Sequence, residues 1–219
     1  VIVLIVVFRW VPVPFTSFMI QDRTAALFSS EKGYRYAHDW VPLTKISKNL
    51  QRAVIASEDQ LFAEHFGFDF QQIKKAIDER ERPQKKGAKA RKRRVRGAST
   101  ISQQVAKNLF LWSGQSFIRK GLEAVITLII ELTWPKERIL EVYLNSAEFG
   151  RGTWGAEAAA QKFFKKTAAR LTPQEAALLA VSLPNPKKMR VDKPSAYMQK
   201  RQKWVLTQMY RVQSPETGK

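Results

Sequence analysis

The sequence has no cysteine and only two histidines, His38 and His65, among 219 residues. Disulfides and thiolate metal sites are therefore excluded, and a histidine-rich metal centre lacks ligands. The missing cysteine leaves the compartment open. Acidic residues are also scarce: 19 Asp and Glu stand against 38 Lys and Arg, for a net charge of +19. That balance favours a polyanionic partner, whether nucleic acid, an anionic membrane surface or a phosphorylated substrate. No apolar run reaches the roughly 20 residues of a membrane-spanning helix. The N-terminal run has eight apolar residues before Arg9, followed by Trp10 and two prolines. It reads as the outer end of an anchor whose beginning is missing (residues 1–15), with Trp10 and Arg9 suited to a lipid–water interface. The alternative is a short buried strand rich in Val and Ile.

Hydrophobic residues make up 44% of the chain, which is a globular composition. Period-two alternation is scarce and no internal repeat is present, so the fold class expected is mainly α. Ile46, Leu50 and Val54 recur at four-residue spacing, as do Ile101, Val105 and Leu109. Thr172, Pro173 and Glu175 form a helix-start signature. The segment from Ile118 to Trp134 is apolar nearly all round after Glu123, a pattern that predicts a helix central to the core. Between Arg80 and Arg96 lie ten basic residues against Glu81 alone. Charge this dense predicts a solvated loop, with anionic lipid headgroups or nucleic acid as the sharper readings. The run has no aromatic residue on which a base could stack, which favours headgroups.

Four clusters could carry chemistry. In the first, Glu58 and Asp59 are followed by Phe62, His65 and Gly67, and apolar neighbours would desolvate a carboxyl there and make it a better base. A solvated acid pair at a helix end is the plainer alternative. The second runs from Gly97 to Leu111. Thr100 and Gln103 fit a capping box, the helix start suits an anion, and Gln103, Gln104, Lys107 and Asn108 share a polar face. An ordinary amphipathic helix is the alternative. In the third, Arg119 and Lys120 lie one turn before Glu123, where a surface ion pair is the default reading. The fourth, from Ile139 to Phe164, has Gly150, Gly152 and Gly155 and reads as architectural. Ser29 to Lys32 satisfies S-x-x-K, but no K-T-G or S-D-N companion follows, so the match is discarded.

Taken in order, E-D-x-x-F-x-x-H-x-G, G-A-S-T-I-S-Q-Q-V-A-K-N-L-F-L, R-K-x-x-E and I-L-E-V-Y-L-N resemble the bacterial peptidoglycan glycosyltransferases of family 51. These include the glycosyltransferase domain of bifunctional penicillin-binding proteins, and this chain is similar to the form without a transpeptidase domain. The resemblance covers about residues 43 to 186. It implies a lysozyme-like helical lobe within residues 16–219, with a small membrane-facing lobe at about 66–98. The implied reaction is polymerisation of lipid II into β-1,4 glycan, with inversion at C1 and release of undecaprenyl pyrophosphate. Glu58 would be the general base and Glu123 the second catalytic carboxylate. Lys107, Arg119 and Lys120 would neutralise the leaving group, while Asp59, Phe62, His65, Ser99, Thr100, Gln103, Gln104 and Asn108 would line the site. The implied partners are lipid II, the growing lipid-linked chain, an anionic membrane surface and other proteins of wall synthesis or division, with no nucleic acid. The implied setting is the outer side of the bacterial inner membrane. No cofactor is required; Mg²⁺ or Mn²⁺ at the pyrophosphate is an option that the three cations could replace. Two rivals remain: a lysozyme-type hydrolase, also built on two carboxylates, and a basic nucleic-acid-binding protein.

Overall fold

The computed structural model describes residues 1–29, 34–81, 99–114 and 116–215. Most of the basic run, the greater part of the expected small lobe and the end of the S-x-x-K match lie outside the described residues. The chain is mainly helical, as expected. Its helices are α1 (Ile2–Phe8), α2 (Ser17–Phe28), α3 (Lys48–Glu58), α4 (Phe70–Glu81), α5 (Ile101–Phe110), α6 (Phe117–Thr133), α7 (Lys136–Ser146), α8 (Ala156–Phe164), α9 (Pro173–Ser182) and α10 (Ala196–Gln208). Three short strands, β1 (Ala37–His38), β2 (Glu148–Gly150) and β3 (Thr153–Trp154), form a sheet in the order β1-β3-β2. β1 runs parallel to β3, and β2 antiparallel.

Local chemistry explains the boundaries. Thr100 and Thr172 cap α5 and α9, each through a reciprocal box with Gln103 and Glu175. Pro135 stands at the N-cap of α7. The turn between β2 and β3 needs Gly152, whose φ is +66° and whose Cβ would lie 2.5 Å from the Arg35 carbonyl oxygen. Asn145 staples the 38–43 segment to α7: its side chain accepts from Val41 N and donates to the carbonyls of Val41 and Glu141.

α5 lies at the centre, packed against α6 on one side and α7 on the other, with α2 against it. α3 packs on α9, which also carries α10. The Ile101, Val105 and Leu109 stripe is buried, as are Leu50 and Val54 of α3. Each such side chain contributes about 1.5–3 kcal/mol when removed from water.

α6 departs from the expected core helix. Its inward stripe is Glu123, Ile126, Thr127, Ile130 and Glu131. Its outward residues Phe117, Ile118, Leu122, Val125, Leu128 and Leu132 are exposed, Phe117 by 97%. An all-round apolar pattern suits a helix walled by protein and equally one walled by another apolar medium. Here Glu123, Thr127 and Glu131 point inward with Ile126 and Ile130, while most of the large apolar residues face outward. α1 packs beside α6 and continues this surface: Ile5 is buried while Ile2, Val3, Leu4, Val6 and Val7 are exposed. The N-terminal run is thus helical rather than a strand. It is held by Trp134, whose Nε1 donates to Ile5 O at 2.8 Å, and by Arg138, which donates to the Phe8 and Val11 carbonyls. Among the described residues no helix is long and apolar enough to cross a membrane.

Candidate active site

Glu58 ends α3. Its neighbours Val54 to Ser57 are all buried, so the helix delivers one half-buried carboxylate at the edge of the core. Gln104, in the second turn of α5, donates from Nε2 to Glu58 Oε2 at 3.0 Å. The Gln104 carbonyl in turn accepts from the hydroxyl of Tyr143 on α7, at 3.2 Å.

Asp59 turns the other way. It is 1% exposed and accepts from His65 Nε2 at 2.8 and 3.0 Å and from the Ile101 backbone N–H at 2.9 Å. Thr100 donates to Gly67 O at 2.7 Å while capping α5 with Gln103. Phe62 is fully buried, with the Lys136 ammonium 4.7 Å from its ring centroid. That ammonium also donates to His65 O and pairs with Glu131, which accepts from Ser102. The sequence reading grouped Asp59, Phe62, His65, Thr100 and Gln103 with residues lining a substrate site. Of these, Asp59 and Thr100 tie the 59–69 loop to the start of α5, with His65 bonded to Asp59 and Gln103 to Thr100. The expectation of an anion at that helix start meets a similar difference, because the N–H groups of Ile101 and Gln103 are already taken by Asp59 and Thr100. Gly67 lets the loop pass α6: its φ is +79°, and a Cβ would meet Thr127 at 2.9 Å.

The third cluster is not a surface pair. Glu123 is 2% exposed, with Arg119 at 2.8 Å and the Lys120 ammonium bonded to its other oxygen. Lys120 reaches across to Ser99 Oγ at 3.4 Å. Ser116 caps α6 by accepting from Arg119 N. Arg119 Nε is buried and lacks a hydrogen-bond partner among the described residues. Where a solvated pair contributes about 0–1 kcal/mol, a buried one costs about 3–5 kcal/mol to break.

Lys107 joins the two halves. Burial pushes its ammonium below the ordinary lysine value, an effect opposed by Glu123 and Glu58 and reinforced by Arg119 and Lys120. Its Nζ lies 5.5 Å from the ring centroid of Phe18, so α2 also reaches the site. Asn108 follows on α5 and is buried. The structure thus gathers Glu58, Gln104, Lys107, Ser99, Arg119, Lys120 and Glu123. Glu58 has an amide partner in Gln104, and Glu123 is bonded to two cations with Lys107 in its field. That arrangement can hold a base at one end and a phosphate anion at the other. Glu123 is already bonded to two cations, and among the described residues no group of three or more His, Asp or Glu could hold a metal by itself.

Tyr143, Phe18 and the Ser102–Glu131–Lys136 network escaped the sequence reading. The signal for Tyr143 was a tyrosine on the apolar side of a helix, where its hydroxyl must find a polar partner.

The chain is similar to known proteins over nearly its whole length. A family model described as Transglycosylase matches residues 25–210. The biosynthetic peptidoglycan transglycosylase of Haemophilus influenzae (strain Rd) is 52% identical over 209 residues, covering 95% of this chain and 82% of that protein. Proteins of the same name from Pasteurella multocida and Escherichia coli (strain K12) are each 51% identical, over 205 and 208 residues, covering 94% and 95% of this chain and 80% and 83% of theirs. With a family model over most of the chain and this extent of identity, the chain belongs to the transglycosylase family.

Proposed function

We propose that this peptidoglycan glycosyltransferase polymerises lipid II, joining the lipid-linked donor to an acceptor sugar hydroxyl. Glu58 takes the proton from the acceptor 4-hydroxyl as its oxygen attacks C1 of the donor. The bond from C1 to the pyrophosphate oxygen breaks, and the electron pair leaves on undecaprenyl pyrophosphate. Attack from the face opposite the leaving group turns an α linkage into a β one. Lys107, Arg119 and Lys120 neutralise the pyrophosphate, with Glu123 holding the last two cations in position. Asp59, Phe62, His65, Thr100 and Gln103 act behind the site, fixing the loop that follows Glu58.

The observation that carries this reading is the cation cluster at buried Glu123, with Arg119 and Lys120 bonded to it and Lys107 in the field of both Glu123 and Glu58. A hydrolase of lysozyme type needs two carboxylates but no clamp for a departing pyrophosphate. Arg119 Nε, a buried donor without a partner among the described residues, is a further group for a phosphate oxygen to meet. The exposed apolar flank of α6 and α1 supports immersion in the outer face of the inner membrane, where a prenyl lipid resides. Residues 1–15 fit the end of a single-pass anchor, followed by a lysozyme-like lobe with its membrane-facing part at 66–98. Other wall-synthesis or division proteins are expected partners, and nucleic acid is not.

Incubation with labelled lipid II tests the reading, with polymer as the expected product; cleaved glycan would favour the hydrolase. Glu58→Gln should lower polymerisation by at least about 10²–10⁴-fold, the usual worth of a general base, with unfolding temperature unchanged. Near-normal glycan synthesis by the folded variant would remove Glu58 as the base.

A further inference from the structure

We infer that Tyr143 is a positioning residue for the reaction: through Gln104 it holds Glu58 in the form and orientation that accept the proton. The inference rests on the reading of Glu58 as the base. It starts from one asymmetry. A glutamine side chain ends in one face that only accepts hydrogen bonds and one that only donates. Gln104 has a partner on each, with Tyr143 OH donating to Oε1 and Nε2 donating to Glu58 Oε2. Which way round the amide sits is decided by its neighbours.

Tyr143 decides it. The residue is 1% exposed on α7. Burial, and then the charges of Glu58 and Asp59, push its hydroxyl well above the ordinary tyrosine value. The hydroxyl therefore keeps its proton throughout the working range and needs an acceptor. The Gln104 carbonyl supplies it, which turns the amide NH₂ toward Glu58. A reversed amide would set its oxygen against the carboxylate and leave the Tyr143 proton without an acceptor. A donor facing Glu58 favours the ionised carboxylate, the only form that can serve as a base. Lys107 of α5 also acts on Glu58 and favours its charge, and Asp59 lies beside it in the chain. From α9, packed along α3, the one charged residue is Glu175, in its first turn and paired with Lys166, whereas Ser57 meets Ala180 near the end of α9. On α10, Lys200 and Lys203 are exposed, and Arg201 stacks on Trp204.

Tyr143→Phe keeps the ring and removes the donor. The pH profile of kcat/KM on lipid II in detergent should then show its rising limb displaced upward by about 0.5–1 pH unit. The activity deficit should shrink above the displaced limb. Gln104→Leu should move the limb the same way, and adding Tyr143→Phe to it should move it no further. An unmoved limb in a folded Tyr143→Phe protein would overturn the inference. So would a further shift in the Gln104→Leu background, because the effect would not pass through Gln104. If Tyr143→Phe does not fold, a fluorinated tyrosine at 143 is a stronger donor and should shift the limb downward; no shift, or an upward one, refutes the relay. Glu58→Gln separates the two readings. An active Glu58→Gln protein removes the base assignment itself, whereas an inactive one beside an unmoved Tyr143→Phe limb removes only the relay.

Discussion

Replacing Glu148 with glutamine should stabilise the protein above neutral pH and leave it unchanged in acid. Glu148 opens β2, and its Oε1 accepts from Gly152 N at 3.2 Å, a bond that a glutamine oxygen can keep. Burial pushes its carboxyl from 4.5 up to about 7; Lys187, Lys162 and the Gly152 bond oppose the rise and Asp22 adds to it. Asp22 is itself occupied, paired with Lys187 at 2.7 Å and accepting from Tyr34 OH at 2.8 Å. Because the folded value lies above the unfolded one, the unfolded chain releases this proton first. The stability that goes with the protonated form is whole below about 4.5 and is lost as pH rises through about 7. The interval between the two values corresponds to roughly 3 kcal/mol at 1.36 kcal/mol per pH unit. Partial solvation of the side chain reduces this to about 1–2 kcal/mol. For a chain of this size that is a rise in Tm of about 3–6 °C at high pH. Thermal and urea unfolding of both proteins from about pH 4.5 to 8.5 provides the assay. Groups shared by the two proteins cancel in the difference. A difference that stays constant with pH would refute the argument. So would a wild type that gains on the variant as pH rises, since Lys187 and Lys162 would then be outweighing burial.

Thr100→Val should cost about 2 kcal/mol in urea unfolding, because it deletes both the α5 cap and the buried bond to Gly67 O. Ser116→Ala, which removes only the exposed cap of α6, should cost about 1 kcal/mol or less, and equal losses would contradict the buried role given to Thr100. Exchanging Ile118, Leu122 and Val125 for serine should leave stability nearly unchanged and weaken binding to phospholipid vesicles severalfold, as measured by co-sedimentation. Vesicle binding equal to wild type would mean that this flank faces something other than lipid.

The helical architecture was legible wherever capping and periodicity agreed. Thr100 with Gln103, Thr172 with Glu175, and the Ile101, Val105 and Leu109 stripe all stand where the spacing put them. α6 was misread for a physical reason: apolar residues all round a helix do not say which side meets protein and which meets another apolar medium. The site was legible as a set of residue types, but their division of labour was not. Asp59 is next to Glu58 in sequence, yet the end of α3 sends one to the Gln104 side chain and the other to the Ile101 backbone N–H, both on α5. Tyr143 was hidden because its partner, Gln104, lies 39 positions away on another helix.

The bonds at the foot of α5 also bear on how such a chain can diversify. Asp59 to Ile101 and Thr100 to Gly67 close the excursion from residue 68 to residue 99 at its root, on the side away from Gln104. Closing a longer excursion costs little, about 0.6 kcal/mol for each doubling of its length. A change of length in the stretch between these closures therefore adds little to the cost of closing it, and the bonds at its root are unaffected. The ten basic residues between Arg80 and Arg96 fall between these closures in the sequence. Charge in that stretch can thus differ from one lineage to another while the Asp59 and Thr100 bonds persist.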